Sequence, residues 1–395
     1  MGVSRTMVGD RRSAVFLALA TFLFWASLYV YVPILAVYAE SLGASLSMVG
    51  LVVGAYGISQ FLLRIPLGIQ SDRHGRRLPY VAASLLLAAA GALGLALAPE
   101  PWTLFLARGL TGVAAYGWVV FSVLFAAYFP PQQVPRAMGW INFVNGLSQM
   151  TAALVGGIIA EHLGWGPTFL AGVVLAGCGL ACLSPVREVP TPRDQVPTAA
   201  QIWRVATVPG LLLVSALSSL TQYATFSTTF GFTTVYAAGI GASKADLGLL
   251  TTAFFAAFTV ASLGTGFLME RVGPRGTLVL GMALLSGGTL VIPLTGALWM
   301  VVVAQVVAGV GRGVTQPALL ALAIQDAAPA ERATAMGVYQ ALYAIGMFAG
   351  PPASGAIADA LGLPSVFVVA GAACLVGGLW ARVGLPQQRP AAIGV

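Results

Sequence analysis

A helix that crosses a membrane needs about 20 mostly apolar residues, and this chain supplies such a run twelve times. The runs fall near residues 13–39, 47–69, 79–98, 102–129, 137–160 and 166–185, then near 207–238, 246–269, 277–296, 298–325, 335–358 and 364–384. Within hydrocarbon, backbone N–H and C=O groups must be bonded internally, so continuous apolar runs of this length are read as helices. Only 8% of the 395 residues are charged, and 58% are hydrophobic. A water-facing domain carries about 25% charged residues, and this chain has too few to cover such a surface. Its 48 glycines suit close helix contact in lipid. Met1 to Arg12 is short and polar, and the apolar run after it is too long for a cleavable signal. Cys178, Cys182 and Cys374 all fall inside apolar runs and read as small core residues, with no disulfide or metal role.

Charge fixes an expected orientation. With the N-terminus inside, the inner segments hold Arg5, Arg11, Arg12, Arg73, Arg76, Arg77, Arg136, Arg187, Arg193, Arg204, Arg271, Arg275, Arg332, Arg382 and Arg389, while the outer loops hold only Lys244. That asymmetry is the positive-inside pattern, with both termini cytoplasmic. It also explains the net charge of +7 without nucleic acid, because the arginines are scattered between apolar runs. Arg64, Arg108 and Arg312 are left over, and all three lie inside runs.

The chain repeats itself at an offset of 198 residues. Val37-Tyr38-Ala39 matches Val235-Tyr236-Ala237, Gly43-Ala44-Ser45 matches Gly241-Ala242-Ser243, and Ala137-Met138-Gly139 matches Ala335-Met336-Gly337. Gly157, Glu161, Gly164 and Phe169 match Gly355, Asp359, Gly362 and Phe367. The expected domains are therefore a bundle over 1–185, a linker over 186–206 and a second bundle over 207–395. Six helices per repeat is an even number, so the halves are related by an axis along the membrane normal. Repeats of that kind place a substrate site between the halves near the midplane, reached alternately from either side.

Two loops carry a common pattern. Gly68-Ile69-Gln70-Ser71-Asp72-Arg73-His74-Gly75-Arg76-Arg77 follows the second run, and Gly266-Phe267-Leu268-Met269-Glu270-Arg271-Val272-Gly273-Pro274-Arg275 follows the eighth. Both read G-x-x-x-[DE]-R-x-G. Gly68 and Gly266 allow close helix contact, Gly75 permits a tight turn, and the acid can face the positive start of a neighbouring helix. Two copies in register resemble the signature loop of the major facilitator superfamily, and the resemblance covers the whole chain. It implies an all-α membrane protein of twelve transmembrane helices in two pseudo-symmetric six-helix bundles. It also implies a conformational latch, formed by Gly68, Asp72, Arg73, Gly75 and Arg76 with Gly266, Glu270 and Arg271. In the latch Asp72 docks near Ala335 to Gly337, and Glu270 docks near Arg136 to Gly139. The family uses such contacts to hold the cytoplasmic side shut in the outward-open state. Leu104-Phe105-Leu106-Ala107-Arg108-Gly109-Leu110-Thr111-Gly112 is similar to the family's second signature, found especially in proton-coupled exporters. The third signature, a Gly-Pro followed by a glycine pair in the fifth run, is degraded: Gly156-Gly157 stands, but Ala152-Ala153 replaces the Gly-Pro.

Charge inside a membrane is costly and usually functional. Arg312, flanked by Gly311, Gly313 and Gln316, is read as a substrate or gating residue, and Arg108 likewise in preference to snorkelling. Arg64 is close enough to the inner end to snorkel. No acid lies deep in any run, so two buried arginines lack an obvious counter-ion and an anionic group on the substrate would supply it. Trp25, Tyr29, Trp118, Asn142, Asn145, Gln222, Tyr223, Tyr339, Gln340 and Tyr343 are the other candidates for lining a site, about half of them reaching it. No nucleophile, acid pair or metal-ligand cluster points to an enzyme, and no cofactor is expected. The expected function is a secondary transporter in the plasma (inner) membrane, most like the drug and metabolite efflux branch. Its partners would be a small-molecule substrate, the lipid bilayer and protons as a candidate coupling ion, and it is expected to be a monomer. The alternatives are an organic-anion carrier and a lipid flippase of the same fold.

Overall fold

The computed structural model describes residues 10–189, 198–328 and 331–385, and among them the secondary structure is helical throughout. The first half runs α1 (Arg11–Tyr29), α2 (Val32–Ser41), α3 (Leu46–His74), α4 (Leu78–Ala96), α5 (Pro101–Ala114), α6 (Gly117–Ala126), α7 (Val134–Leu163) and α8 (Trp165–Ala181). After the short α9 (Ala199–Ala206), the second half runs α10 (Pro209–Ala224), a π-helical segment (Thr225–Phe232), α11 (Thr233–Gly239), α12 (Lys244–Val291), α13 (Leu298–Gln325), α14 (Arg332–Leu361) and α15 (Pro364–Gly384).

Nine helical segments among the described residues are long and apolar enough to cross a bilayer, counting α1–α2 and α5–α6 each across a short break. Pro209–Gly239 adds a tenth, reached from α9 through a 71° bend. The remaining two of the twelve apolar runs are accounted for by α8, which is 17 residues long, and by a division of α12. At 48 residues, α12 would be about 72 Å long if straight, more than twice the hydrocarbon thickness of about 30 Å. Gly273 breaks it, with φ 72° and ψ 165°, and Pro274 follows. The break divides α12 into arms over 244–272 and 274–291, and both arms pack on α13. A Cβ at Gly309 would lie 2.5 Å from the Phe254 carbonyl oxygen, and one at Gly311 would lie 2.3 Å from the Leu285 nitrogen.

The repeat is written into the backbone. Among the described residues six glycines have positive φ, and they form three pairs at the 198-residue offset: Gly43 with Gly241, Gly75 with Gly273, and Gly164 with Gly362. Their angles agree within each pair, at 83° and 93°, 64° and 72°, and 92° and 85°. Each turn needs the left-handed region that side chains disfavour, so the two halves turn corners in the same way.

Two seams join the halves, α3 against α14 and α7 against the first arm of α12. They too are equivalent. A Cβ at Gly50 would lie 2.2 Å from the Pro351 carbonyl oxygen, and one at Gly248 would lie 2.8 Å from that of Ala153. Contacts along the seams run from the turns at Gly43, Gly164, Gly241 and Gly362 to about the middle of the helices. There Phe61 meets Phe348 at 5.6 Å between ring centres, and Thr252 donates to the Met150 carbonyl at 3.2 Å. Toward the end that bears the arginine-rich loops, Gly139, Gly264, Gly266 and Gly337 have open space at their Cβ positions. Among the described residues, the molecule is sealed at one end of its central seam and parted at the other. Large apolar side chains such as Val260, Leu263 and Val383 face outward at 71%, 77% and 85% exposure, as a lipid-facing surface requires.

The expected linker is not wholly irregular. Thr198 caps α9, accepting a hydrogen bond from Gln201 N at 3.3 Å while the Gln201 side chain accepts from Thr198 N at 2.8 Å. Reciprocal bonding of this kind stabilises a helix start. Val205 is buried against Leu211, and Arg204 pairs with Glu331 at the head of α14. Of the cysteines, Cys374 is buried as expected, but Cys178 faces outward. The α8 surface there turns away from the bundle.

Candidate functional site

Span 1 and span 7 are both irregular, and at equivalent places. Span 1 breaks at Val30–Tyr31, between α1 and α2, and span 7 widens into the π-helical segment Thr225–Phe232. Residues 30 and 31 correspond to 228 and 229 in the repeat. Broken and widened helices are tolerated in a membrane protein where the backbone is buried in protein, and they recur at functional sites. Every residue of 225–232 is buried.

These irregular stretches carry a connected set of rings. Trp118 on α6 stands 5.7 Å from Trp25 in an edge contact, and Trp25 stands 5.8 Å from Tyr29. Tyr29 reaches into the other half, 6.0 Å from Phe230 and 5.5 Å from Phe255. Sequence reasoning selected Trp25, Tyr29 and Trp118 but not Phe230 or Phe255. A phenylalanine in an apolar run carries no signal that separates lining from packing.

Arg312 lies on α13 and is 5% exposed. Gly311 and Gly313 flank it, and a Cβ at Gly313 would lie 2.5 Å from the Phe258 carbonyl oxygen. Those glycines let α13 wedge between the arms of α12, while Arg312 reaches toward α10. Its Nη1 donates to Thr221 Oγ1 and its Nη2 to Gln222 Oε1, both at 2.7 Å. Both partners are neutral. Tyr339 shares a hydrogen bond with Ser218 at 2.8 Å and packs edge-on to Tyr343 at 5.3 Å. Of this group, sequence reasoning singled out Arg312, Gln222, Tyr339 and Tyr343 but not Thr221 or Ser218.

Arg108 on α5 is 4% exposed, and snorkelling would have left it at the surface. The reason is Gly112, whose absent side chain lets α5 lie against α3; a Cβ there would be 2.4 Å from the Tyr56 carbonyl oxygen. That approach sets the Arg108 guanidinium 4.7 Å from the centre of the Tyr56 ring and 5.9 Å from that of Tyr31. Aromatic faces stabilise a desolvated cation. Arg108 Nη1 donates to Thr111 Oγ1 at 3.3 Å. Among the described residues Arg108 Nε and Trp25 Nε1 are buried without a hydrogen-bond partner. Both are donors, and neither can accept. Tyr56 in turn lies 6.0 Å from Phe226, and Phe226 lies 5.0 Å from Phe230, which ties Arg108 to the ring cluster.

The other candidates divide. Tyr223 is half-buried, and its hydroxyl accepts from Ser354 Oγ at 3.4 Å. Gln316 and Gln340 are half-buried on α13 and α14. Asn142 is exposed and bonds back to its own helix, donating to the Met138 carbonyl at 2.7 Å. Asn145 is paired with Gln149 one turn along α7. The structure does not bring these two asparagines to the arginines.

In the loops, Arg73, Arg76, Glu270 and Arg271 are exposed. Gly75 makes the tight turn the sequence implies, with φ 64°. The side chains of Arg64, Gly68 and Asp72 lie outside what the structure describes. Arg271 rests 4.4 Å from the Phe267 ring centre. The docking expected of Glu270 near Gly139 is not made here, which accords with the parting of the seams at this end.

The family model described as Major Facilitator Superfamily matches residues 17–240 and again 216–394. The inner membrane transport protein YajR of Escherichia coli K12 is 32% identical over 174 residues, a match spanning 44% of this chain but only 38% of YajR. The multidrug resistance protein MdtG of Salmonella choleraesuis is 23% identical over 98% of this chain and 99% of its own length. Among solved structures, a mutant of the nucleoside transporter NupG superposes with a TM-score of 0.80 at 15% identity, covering 95% of this chain and all of its own. At that identity the likeness is one of fold.

Proposed function

This chain belongs to the major facilitator superfamily of membrane transporters, and from that premise we propose that it exports a small amphipathic molecule carrying an anionic group, by alternating access. One observation carries the substrate chemistry. Arg312 is buried deep in the bundle and, among the described residues, is held by neutral oxygens. A buried charge without a paired opposite charge is costly, and an anion arriving between the halves relieves that cost. Donors without partners at Trp25 and Arg108 favour an acceptor-rich ligand for the same reason, and the rings of Trp25, Tyr29, Phe230 and Phe255 suit its apolar part. Export is the direction suggested by the full-length likeness to MdtG.

The arginine-bearing end is the cytoplasmic one in this reading, by the positive-inside rule, with both termini inside. The two bundles, 1–185 and 207–395, rock about the seams, and the parted end faces the cytoplasm. The degraded third signature and the absence of a deep acid in the sequence favour anion exchange or uniport over simple proton exchange.

The test is flux in proteoliposomes with a panel of aromatic carboxylates, cations and neutral drugs, with and without a pH gradient. Arg312→Gln should cut transport of the anionic members by about 10- to 100-fold, the value of a hydrogen bond to a charged group, with Arg312→Lys retaining part. Undiminished affinity for the best substrate in Arg312→Gln would remove the anionic reading. Dependence of flux on lipid in place of solute would favour a flippase.

A further inference from the structure

The sealed end is closed by two contacts that neither the signature loops nor the arginine site accounts for. Glu161 and Asp359 stand in the last turns of α7 and α14. An acid there faces the negative end of its own helix, an unfavourable place. Each carboxylate instead reaches across to the other half of the molecule. Asp359 Oδ1 accepts from Leu46 N at 3.1 Å, and its Oδ2 accepts from Ser47 N at 2.9 Å. Glu161 Oε2 accepts from Lys244 N at 2.9 Å. Those amides open α3 and α12, and the first N–H groups of a helix have no partner within it. The negative charge also meets the positive end of the helix it caps.

The two contacts are one contact repeated. Glu161 and Asp359 are 198 residues apart, as are Leu46 and Lys244. The glycines beside them repeat too. A Cβ at Gly355 would lie 2.3 Å from the Leu46 carbonyl oxygen, and one at Gly157 would lie 2.8 Å from that of Lys244. The small residue draws the helices together one turn before the acid, and the acid then bonds the exposed helix start. On one side Lys244 adds its ammonium, 4.2 Å from the centre of the Trp165 ring. All of these bonds run between the halves, so a rocking motion that opens this end must break them.

We propose that Glu161 and Asp359 are twin latches that hold this end of the transporter shut, each a carboxylate from one half seated on a helix N-terminus of the other. They set the balance between the conformation seen here and the one open at this end. Serine caps prepare both seats. Ser45 Oγ accepts from Met48 N at 3.2 Å, and Ser243 Oγ accepts from Asp246 N at 3.2 Å, which leaves the first amides of each helix for the opposing acid.

The measurement uses the full chain in nanodiscs, with Cys178, Cys182 and Cys374 replaced by serine and spin labels at Ser41→Cys and Gly239→Cys, exposed positions on opposite halves of the sealed end. Pulsed electron spin resonance then reads the distance distribution. Glu161→Ala and Asp359→Ala should each shift the ratio of long to short distances by about 2- to 30-fold, the range for a charge at a helix terminus. The double variant should shift it by about the product, as for separate sites. Asp359→Asn keeps an acceptor and should lie between Asp359→Ala and wild type. A double variant with the wild-type distribution overturns the proposal. If the alanine variants fail to insert, Glu161→Gln with Asp359→Asn gives the same decision, since removal of both charges must still lengthen the distances. No substrate is added, so the result stands apart from whether the transported molecule is an anion.

Discussion

Arg312 donates from two nitrogens to oxygens that carry no charge, and the proposed anion site rests on that choice of partner. Had α10 offered a carboxylate in place of Gln222, the charge would be paired within the fold. Glycines show the opposite constraint, where space alone decides. A Cβ at Gly156 would fall 1.6 Å from the Val30 carbonyl oxygen, a backbone atom that cannot swing aside, while Gly139 has open space. Gly156→Ala should therefore destabilise the protein by about 1–3 kcal/mol, as forced overpacking does, and Gly139→Ala should leave it unchanged. Thermal unfolding of the two variants in detergent checks this, and equal melting temperatures would contradict the packing described. Sequence singled out Arg312 because a charge stands out among apolar neighbours. It missed Thr221, 91 residues away, because a threonine in an apolar helix commonly bonds its own preceding turn. It chose Asn142 for its polarity, yet which face of α7 bears that residue depends on how α7 is rotated against its neighbours.

At the level of the element, the corner at Gly273 turns what would be a single long helix into two membrane-spanning arms. Positive φ costs a side-chain-bearing residue about 1–2 kcal/mol, so Gly273→Ala should lower the melting temperature while Gly287→Ala, with open space at its Cβ, should not. A Gly273→Ala protein as stable as wild type would argue against the break. The helix α9 was not anticipated, since eight residues are too few to show a periodic pattern above chance and such a helix is marginal by itself. Packing of Val205 and the pairing of Arg204 with Glu331 hold it in place. Spans 1 and 7 look unbroken in the sequence for a related reason. In span 7 the irregularity falls among Thr, Ser and Phe residues that suit an ordinary span equally well, whereas Pro33 at the start of α2 marks the break in span 1 without altering its apolar length.

The whole molecule is a pair of equivalent seams, tight at one end and parted at the other. At the parted end the resemblance assigns Asp72 and Glu270 to hold the seams shut in the alternate state. Asp72→Asn is therefore expected to fold and insert normally yet transport poorly, because the state closed at that end would lose the contact that the resemblance assigns to it. Wild-type flux in that variant would count against such a latch. Glu161 and Asp359 would then be its counterparts at the sealed end. Carboxylates on helix starts at both ends, one pair in each state, would keep the energies of the two states close, as alternating access requires.

By itself the sequence determined the solvent this protein lives in, the number of apolar runs, their helical nature and the twofold repeat. Each of those follows from local composition or from a register that survives without knowledge of contacts. Tertiary structure alone decided which polar groups meet: Arg312 with Thr221 and Gln222, Arg108 beneath Tyr56, and Asp359 on the head of α3. Those meetings depend on the rotation of each helix about its axis and on the closure of the seams, and both are set by glycine-sized gaps between helices far apart in the chain.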